Sequence, residues 1–472
     1  MKENRVPFHR HIISLICVAI ISGGLVQILN KPQLEESTQG DELAKVHTLF
    51  QNIQKDYYET VEPEVLVEGA LKGMTEALND PYTSYLNQED AEFFSEALSG
   101  EFEGIGATLT LKDELPTIAE EPVSNSPAHQ SGLKINDQIL KIDGKATKGQ
   151  PLSETVSLIR GKKGTIVQLT IQREMESFEV EVTRNIIPID SVFGSIDTQQ
   201  KEVGKIKIVT FSENTAMELQ KTIEKLRNEG AKAFVLDVRG NPGGYLNQVE
   251  KMASMFLEDN ATILQFGLKE AIVGEVKASK ELDHGFKVTE PVVVLVDGGS
   301  ASASEILAAA LQESAGAPVV GMKTFGKGTV QGVRPLDDQS ELKMTMQKWL
   351  TPKGNWLNEV GLVPDVEVDF PAYAYFPSLA RDHSVKLGDK SEKAKQLNQF
   401  LEALGYLDQV EEAFTEDTKT AISLFQEKNQ LAVTGALNLE TAIKIEGHLT
   451  TLLRENDSMY QKAVEVLLER TK

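Results

Sequence analysis

From Asp41 to about Phe94 the apolar positions recur at three- and four-residue steps: Leu43, Val46, Leu49, Phe50 and Ile53, then Val65, Leu66, Ala70, Leu71, Met74 and Leu78. This is helical spacing, and it predicts helices that serve either as packing for a core or as a self-association surface. After Gly100 the pattern shortens to β-type runs broken by glycine, around Ile105 to Leu109, Gln138 to Ile142 and Val167 to Ile171, with one helical stretch at Leu152 to Ile159. That combination predicts a small mixed β domain closing near Thr183. Between Ile189 and Phe370 apolar strands alternate with amphipathic helices: strands Lys205 to Thr210, Ala233 to Val238 and Val292 to Val296, helices Thr215 to Asn228, Tyr245 to Leu257 and Ser302 to Gln312. Near-continuous apolar strands separated by helices predict a largely parallel sheet covered on both faces. From Ser391 to Lys472 only helical periodicity remains.

The expected fold class is therefore multidomain α/β and α+β. Residues 1–40 form a cytoplasmic tail, membrane anchor and linker, 41–92 a helical segment, 93–185 the β domain, 186–380 the α/β core, 385–450 a small all-α domain and 451–472 a final helix. The anchor rests on the apolar run Ile12 to Leu29, preceded by Lys2, Arg5 and Arg10 and followed by Lys31. The basic bias keeps the N-terminus inside and predicts a single-pass protein whose remaining chain lies outside the cytoplasm. No small-x-small cleavage site clearly follows, which favours an uncleaved anchor over a signal peptide.

Composition sharpens this picture by exclusion. The 472 residues suffice for about three domains. A formal charge of −23 makes the chain a poor nucleic-acid binder. Its one cysteine, Cys17, excludes an internal disulfide and a thiolate zinc site.

Three segments of the α/β part carry chemistry. In Val294 to Ile306 an apolar strand runs through Gly298 and Gly299 into a helix. A serine at that junction sits where unsatisfied amides and the helix dipole favour a developing oxyanion, although Ser300, Ser302 and Ser304 could equally cap the helix. In Gly321 to Gln331, Lys327 lies between Gly326 and Gly328, and a lysine in a dry turn loses its charge easily and can act as a base. The spacing nearly fits a phosphate-binding loop, but Gly328 stands where a magnesium-ligating hydroxyl is needed and a strand-like run follows. In Leu236 to Gly244, the paired Gly243 and Gly244 let backbone amides approach a substrate closely. There is no His-Glu-x-x-His and no Gly-x-Ser-x-Gly elbow, and none of the 7 histidines falls in these segments. A Ser-Lys pair needs only what is present.

Ser-Ala-Ser-Ala-Ser-Glu-Ile at 300–306 and Thr-Phe-Gly-Lys-Gly-Thr-Val-Gln at 324–331 resemble the C-terminal processing, or tail-specific, peptidases, which are serine endopeptidases with a Ser-Lys dyad. The resemblance implies Ser302 as nucleophile, Lys327 as general base, Gln331 as the group orienting it, and the amides of Ala303 and of Gly243 or Gly244 as oxyanion hole. No metal or other cofactor is implied. The β unit resembles a PDZ domain, in which Gly104, Ile105, Gly106 and Ala107 hold a chain-end carboxylate. Arg160 would there be either a sensor of the occupied site or a plain surface arginine. The segment from Ala394 to Ile445 is similar to peptidoglycan-binding helical domains, with Thr434 and Asn438 departing from that pattern. Asn438 is expected to keep the turn by adopting the left-handed conformation.

The function these features imply is a serine endopeptidase, anchored in the cell membrane as a homodimer through the 41–78 helices, that captures accessible apolar protein C-termini and cuts nearby. Peptidoglycan is a further expected partner. The alternatives are a non-catalytic PDZ and cell-wall scaffold, or a nucleotide-binding protein using the loop from Gly321 to Lys327.

Overall fold

The computed structural model describes residues 43–379 and 385–470. The apolar run at 12–29 lies outside the described residues. Among those described, no helix is long and apolar enough to cross a membrane.

The centre of the molecule is a six-stranded sheet. In spatial order its strands are Val192–Ile196, Val203–Ile208, Ala233–Asp237, Val292–Val296, Val319–Gly321 and Val366–Glu367. The first pair is antiparallel and every other pair is parallel. Alternation along the strands splits their side chains between two cores. Phe234, Leu236, Val292, Val294 and Val296 face the helices Thr215–Asn228, Leu246–Phe256 and Ala303–Ser314. Ala233, Val235, Val293 and Leu295 face the opposite way and meet Met459, Tyr460, Ala463, Val464 and Leu467. The second cover that a parallel sheet requires is thus the last helix of the chain, Ser458–Arg470. The helical unit before it, made of Glu392–Ala403, Glu416–Lys428 and Leu439–Glu455, has its own core around Leu397, Phe400, Ile422 and Phe425.

A second sheet is antiparallel and joins distant parts of the chain. The long strand Glu341–Leu350 pairs with Thr262–Leu268, with Thr329–Pro335 and with the short N-terminal strand Ser84–Leu86. Ser84–Leu86 lies inside a segment that the periodicity predicts as helical. Three residues are too few to show an alternation, so the pairing partner decides the conformation. The helices Ala44–Asp56 and Pro63–Glu76 have no buried residue. Leu43 is 68% exposed and Met74 61%, so these helices do not serve as packing for the core.

The β unit is an antiparallel sheet built on Leu109–Lys112, Leu115–Ile118, Gln138–Ile142, Ile166–Arg173 and Glu176–Thr183. The helix Leu152–Ile159 lies against it, closing a core of Ile118, Ile139, Val167, Leu169 and Ile171.

Candidate active site

Three neighbouring parallel strands deliver the three candidate segments to one edge. Asp237 lies beside Leu295, and Val296 beside Gly321. The loops leaving the carboxyl ends of these strands must therefore converge, which is where open α/β sheets bind ligands.

Ser302 begins the helix Ala303–Ser314 with φ 54° and ψ −112°. A non-glycine residue at positive φ is strained, and the surroundings hold it there. The helix is buried from Ala303 to Leu311, and its alanines let it approach the sheet closely. The N–H of Ala303, as first residue of the helix, has no intrahelical acceptor.

Glu305 ties this turn to the lysine loop. Its carboxylate is fully buried and accepts from the Ser302 amide at 2.8 Å, the Thr324 hydroxyl at 2.6 Å, and the amides of Gly326 at 2.7 Å and Lys327 at 2.8 Å. Sequence reading assigns Glu305 no role, although Ser302-x-x-Glu305 has the spacing of a capping box. The same contacts exclude a phosphate-binding loop: the amides that would cradle a phosphate surround a carboxylate, and the strand Thr329–Pro335 follows in place of a helix.

Lys327 is half-buried, and desolvation pushes its pKa below the ordinary lysine value. Lys343 pushes in the same direction, while Glu305 and Asp80 oppose both. Among the described residues no hydrogen bond joins Ser302 Oγ to Lys327 Nζ. The ammonium lies instead 4.9 Å from the centre of the Tyr82 ring. Gln331 donates through Nε2 to the hydroxyls of Thr329 at 2.9 Å and Thr345 at 3.3 Å.

The glycine loop closes the site from the third strand. A Cβ on Gly243, at φ 109°, would lie 2.9 Å from Ser302 Cβ and 3.2 Å from the Ala303 nitrogen, so only glycine fits. The Gly243 amide donates to Asn241 Oδ1 at 2.9 Å and is occupied in this arrangement. The loop is held from below by Arg239, which forms paired bonds to Asp237 and to Asp457, the residue preceding the last helix. Asn241 adds a bond from its Nδ2 to the Ile208 carbonyl and accepts the Ser304 hydroxyl through its own carbonyl.

The model for peptidase family S41 matches residues 202–368, enclosing all three loops. The carboxy-terminal processing protease CtpA of Bacillus subtilis (strain 168) is 41% identical over 436 residues, covering 92% of each chain. The chain belongs to the carboxy-terminal processing proteases of peptidase family S41. The CtpB protease of the same organism is 37% identical, covering 92% of this chain and 90% of its own length. A solved photosystem II D1 C-terminal processing protease is 26% identical, with a TM-score of 0.41, covering 70% of this chain and 89% of that one. As a member of the family the chain is a serine-type peptidase. Further matches are to the N-terminal domain of the activating protease CtpB at 24–90, a PDZ domain at 118–173 and a peptidoglycan binding domain at 390–445.

In this S41 protease, ahead of the segment matched as a PDZ domain, Gly104 pairs with Asn185 in a two-stranded sheet, and Gly104, Ile105 and Gly106 are buried while Ala107 is half-buried. Gly106 has φ 80° and is packed against Ser126. Arg160 ends the Leu152–Ile159 helix, bonds to Glu96 at 2.7 Å and stacks on Phe102 at 5.0 Å. It therefore bridges the PDZ unit to the helix Gln88–Ser99.

In the helical tail, Asn438 corrects the expected left-handed turn. It is extended, at φ −118°, and caps the helix Leu439–Glu455 by accepting the Thr441 amide at 2.8 Å. The left-handed position belongs to Gly435, at φ 63°. Thr434 and Gly435 both donate their amides to Gln426 Oε1, at 2.8 and 3.0 Å.

Proposed function

We propose that this S41 protease cuts by a Ser-Lys mechanism in which Ser302 is the nucleophile and Lys327 the general base, with Gln331 orienting the lysine. The uncharged amine takes the Ser302 hydroxyl proton as the oxygen attacks the scissile carbonyl. The amides of Ala303 and Gly244 hold the oxyanion, Gly243 joining them only if its bond to Asn241 opens. The amine's proton then passes to the leaving nitrogen, and water hydrolyses the acyl-enzyme.

The observation carrying this reading is Glu305, which binds the backbones of both Ser302 and Lys327 and so fixes the two chains that bear nucleophile and base. Burial that favours the neutral lysine supplies the base chemistry.

Substrates on this reading are unfolded or flexible protein tails with apolar ends. The PDZ unit around Gly104 to Ala107 takes the terminal carboxylate and an added strand, and Arg160 carries its occupancy to the protease unit. The exposed apolar residues of the helices 44–76 form the homodimer contact, the tail binds peptidoglycan, and the 12–29 run anchors the chain in the cell membrane with the protease outside.

The test is cleavage of an unstructured protein by the full chain. Loss of fragments in both Ser302→Ala and Lys327→Ala is expected. Unchanged cutting in both variants would overturn the assignment, whereas a folded full chain that releases no fragments would favour a scaffold.

A further inference from the structure

The base does not rest on the nucleophile; it rests on a group from the N-terminal segment. Asp80 organises a tight turn, accepting the Tyr82 amide at 3.0 Å and the Thr83 hydroxyl at 2.6 Å. From that turn the chain pairs Ser84 with Lys343, and Thr83 Oγ1 accepts the Thr345 amide at 3.0 Å. The half-buried Tyr82 ring is thereby fixed under Lys327 Nζ. The Thr345 hydroxyl accepts from Gln331 while its amide donates to Thr83, so the turn is joined to the orienting glutamine as well as to the base.

We propose that Tyr82 is a positioning residue for the base: its ring, with Asp80 behind it, cradles the Lys327 ammonium in the resting enzyme, and Lys327 must leave this cradle to reach Ser302. This rests on the Ser-Lys reading and adds a step to it. On leaving, the ammonium gives one proton to water, and the resulting amine takes the Ser302 proton; no other reactant is needed. The charged groups acting on Lys327 are Lys343 from the strand Glu341–Leu350, Glu305 from the helix and Asp80 from the turn, while Glu359 acts on Tyr82. Ring and Asp80 carboxylate both favour the ammonium. The cradle therefore opposes catalysis, and weakening it should extend activity to lower pH.

The experiment is kcat/KM of the full chain against pH on a peptide with an apolar C-terminus. Tyr82→Leu should move the acid limb down by about half to one pH unit with KM unchanged. Asp80→Asn should move it the same way, and Tyr82→Phe, which keeps the ring, should not move it. Should Tyr82→Leu fold poorly, a ring-fluorinated phenylalanine at position 82 preserves the shape while removing the negative ring face, and should give the same shift. Profiles that coincide with wild type in Asp80→Asn and in the fluorinated variant, while Lys327→Ala is inactive, overturn the cradle alone. Activity persisting in Lys327→Ala overturns the base assignment and the cradle together.

Discussion

The backbone amides of Ser302 and Lys327 donate to the same oxygen, Glu305 Oε2, each at 2.8 Å. Two loops that are separate in sequence are thus fixed to one buried point, and on the proposed Ser-Lys mechanism the reach of Lys327 to Ser302 depends on it. Geometry of this kind matters because small displacements of reacting groups cost large factors in rate.

Glu305→Gln removes the charge from a carboxylate serving four donors. Bonds to charged groups contribute about 1.5–3 kcal/mol each, and the glutamine NH2 that replaces one carboxylate oxygen donates and cannot accept, so the donors on that side lose their partner. A loss of about 2–4 kcal/mol in stability is expected, with kcat falling at least about tenfold while KM changes little. Denaturant unfolding and steady-state kinetics check this, and a variant with wild-type kcat would show that the shared oxygen positions nothing.

Asp457 reaches from the start of the last helix to the loop beneath Gly243. It holds Arg239 with two bonds, at 2.8 and 2.6 Å, while Asp237 holds the other side of the guanidinium. Asp457→Ala leaves Arg239 paired on one side only, costing about 1–3 kcal/mol. Ending the chain before Ser458 would in addition expose the face of Val235, Val293 and Leu295. The truncated protein should aggregate, whereas Asp457→Ala should stay soluble with a lower Tm. Equal solubility of truncated and full chains by gel filtration would argue against the last helix as the sheet's second cover.

Glu250 on the helix Leu246–Phe256 is a carboxyl that burial pushes up to about 7, opposed weakly by Lys251. Its folded value exceeds its unfolded one. The native state is therefore not penalised below the unfolded pKa, and stability is lost as pH rises toward 7. Glu250→Gln should be neutral near pH 4 and, because the side chain keeps some solvent access, stabilising by only about 1–2 kcal/mol near pH 8. Urea midpoints of both proteins at the two pH values check the sign; an equal difference at both would mean that Glu250 ionises freely.

Much of this molecule could be read along the chain. Periodicity gave the helices Thr215–Asn228 and Leu152–Ile159 and the strand Val292–Val296 with these same ends, because each has a one-sided or wholly apolar pattern that only one packing satisfies. The segments bearing Ser302, Lys327 and Gly243 were also visible as candidates, since glycines beside a serine or a lysine at strand ends are local signals. Tyr82, Asp80 and Asp457 were not. Each acts on a residue more than 150 positions away, and a short polar turn or a helix cap looks the same in sequence whether or not another loop lies against it.

What the sequence determined alone is the alternation of strands and helices in the α/β core, the two-sided apolar strands, and a serine before an alanine-rich helix. Tertiary structure decided what the lysine rests on, which carboxylate joins it to the serine, and that the last helix supplies the sheet's missing cover. The physical reason is range. Propensity and alternation act over a few residues, whereas the surroundings of a half-buried amine are set by whichever distant segments the sheet order brings together.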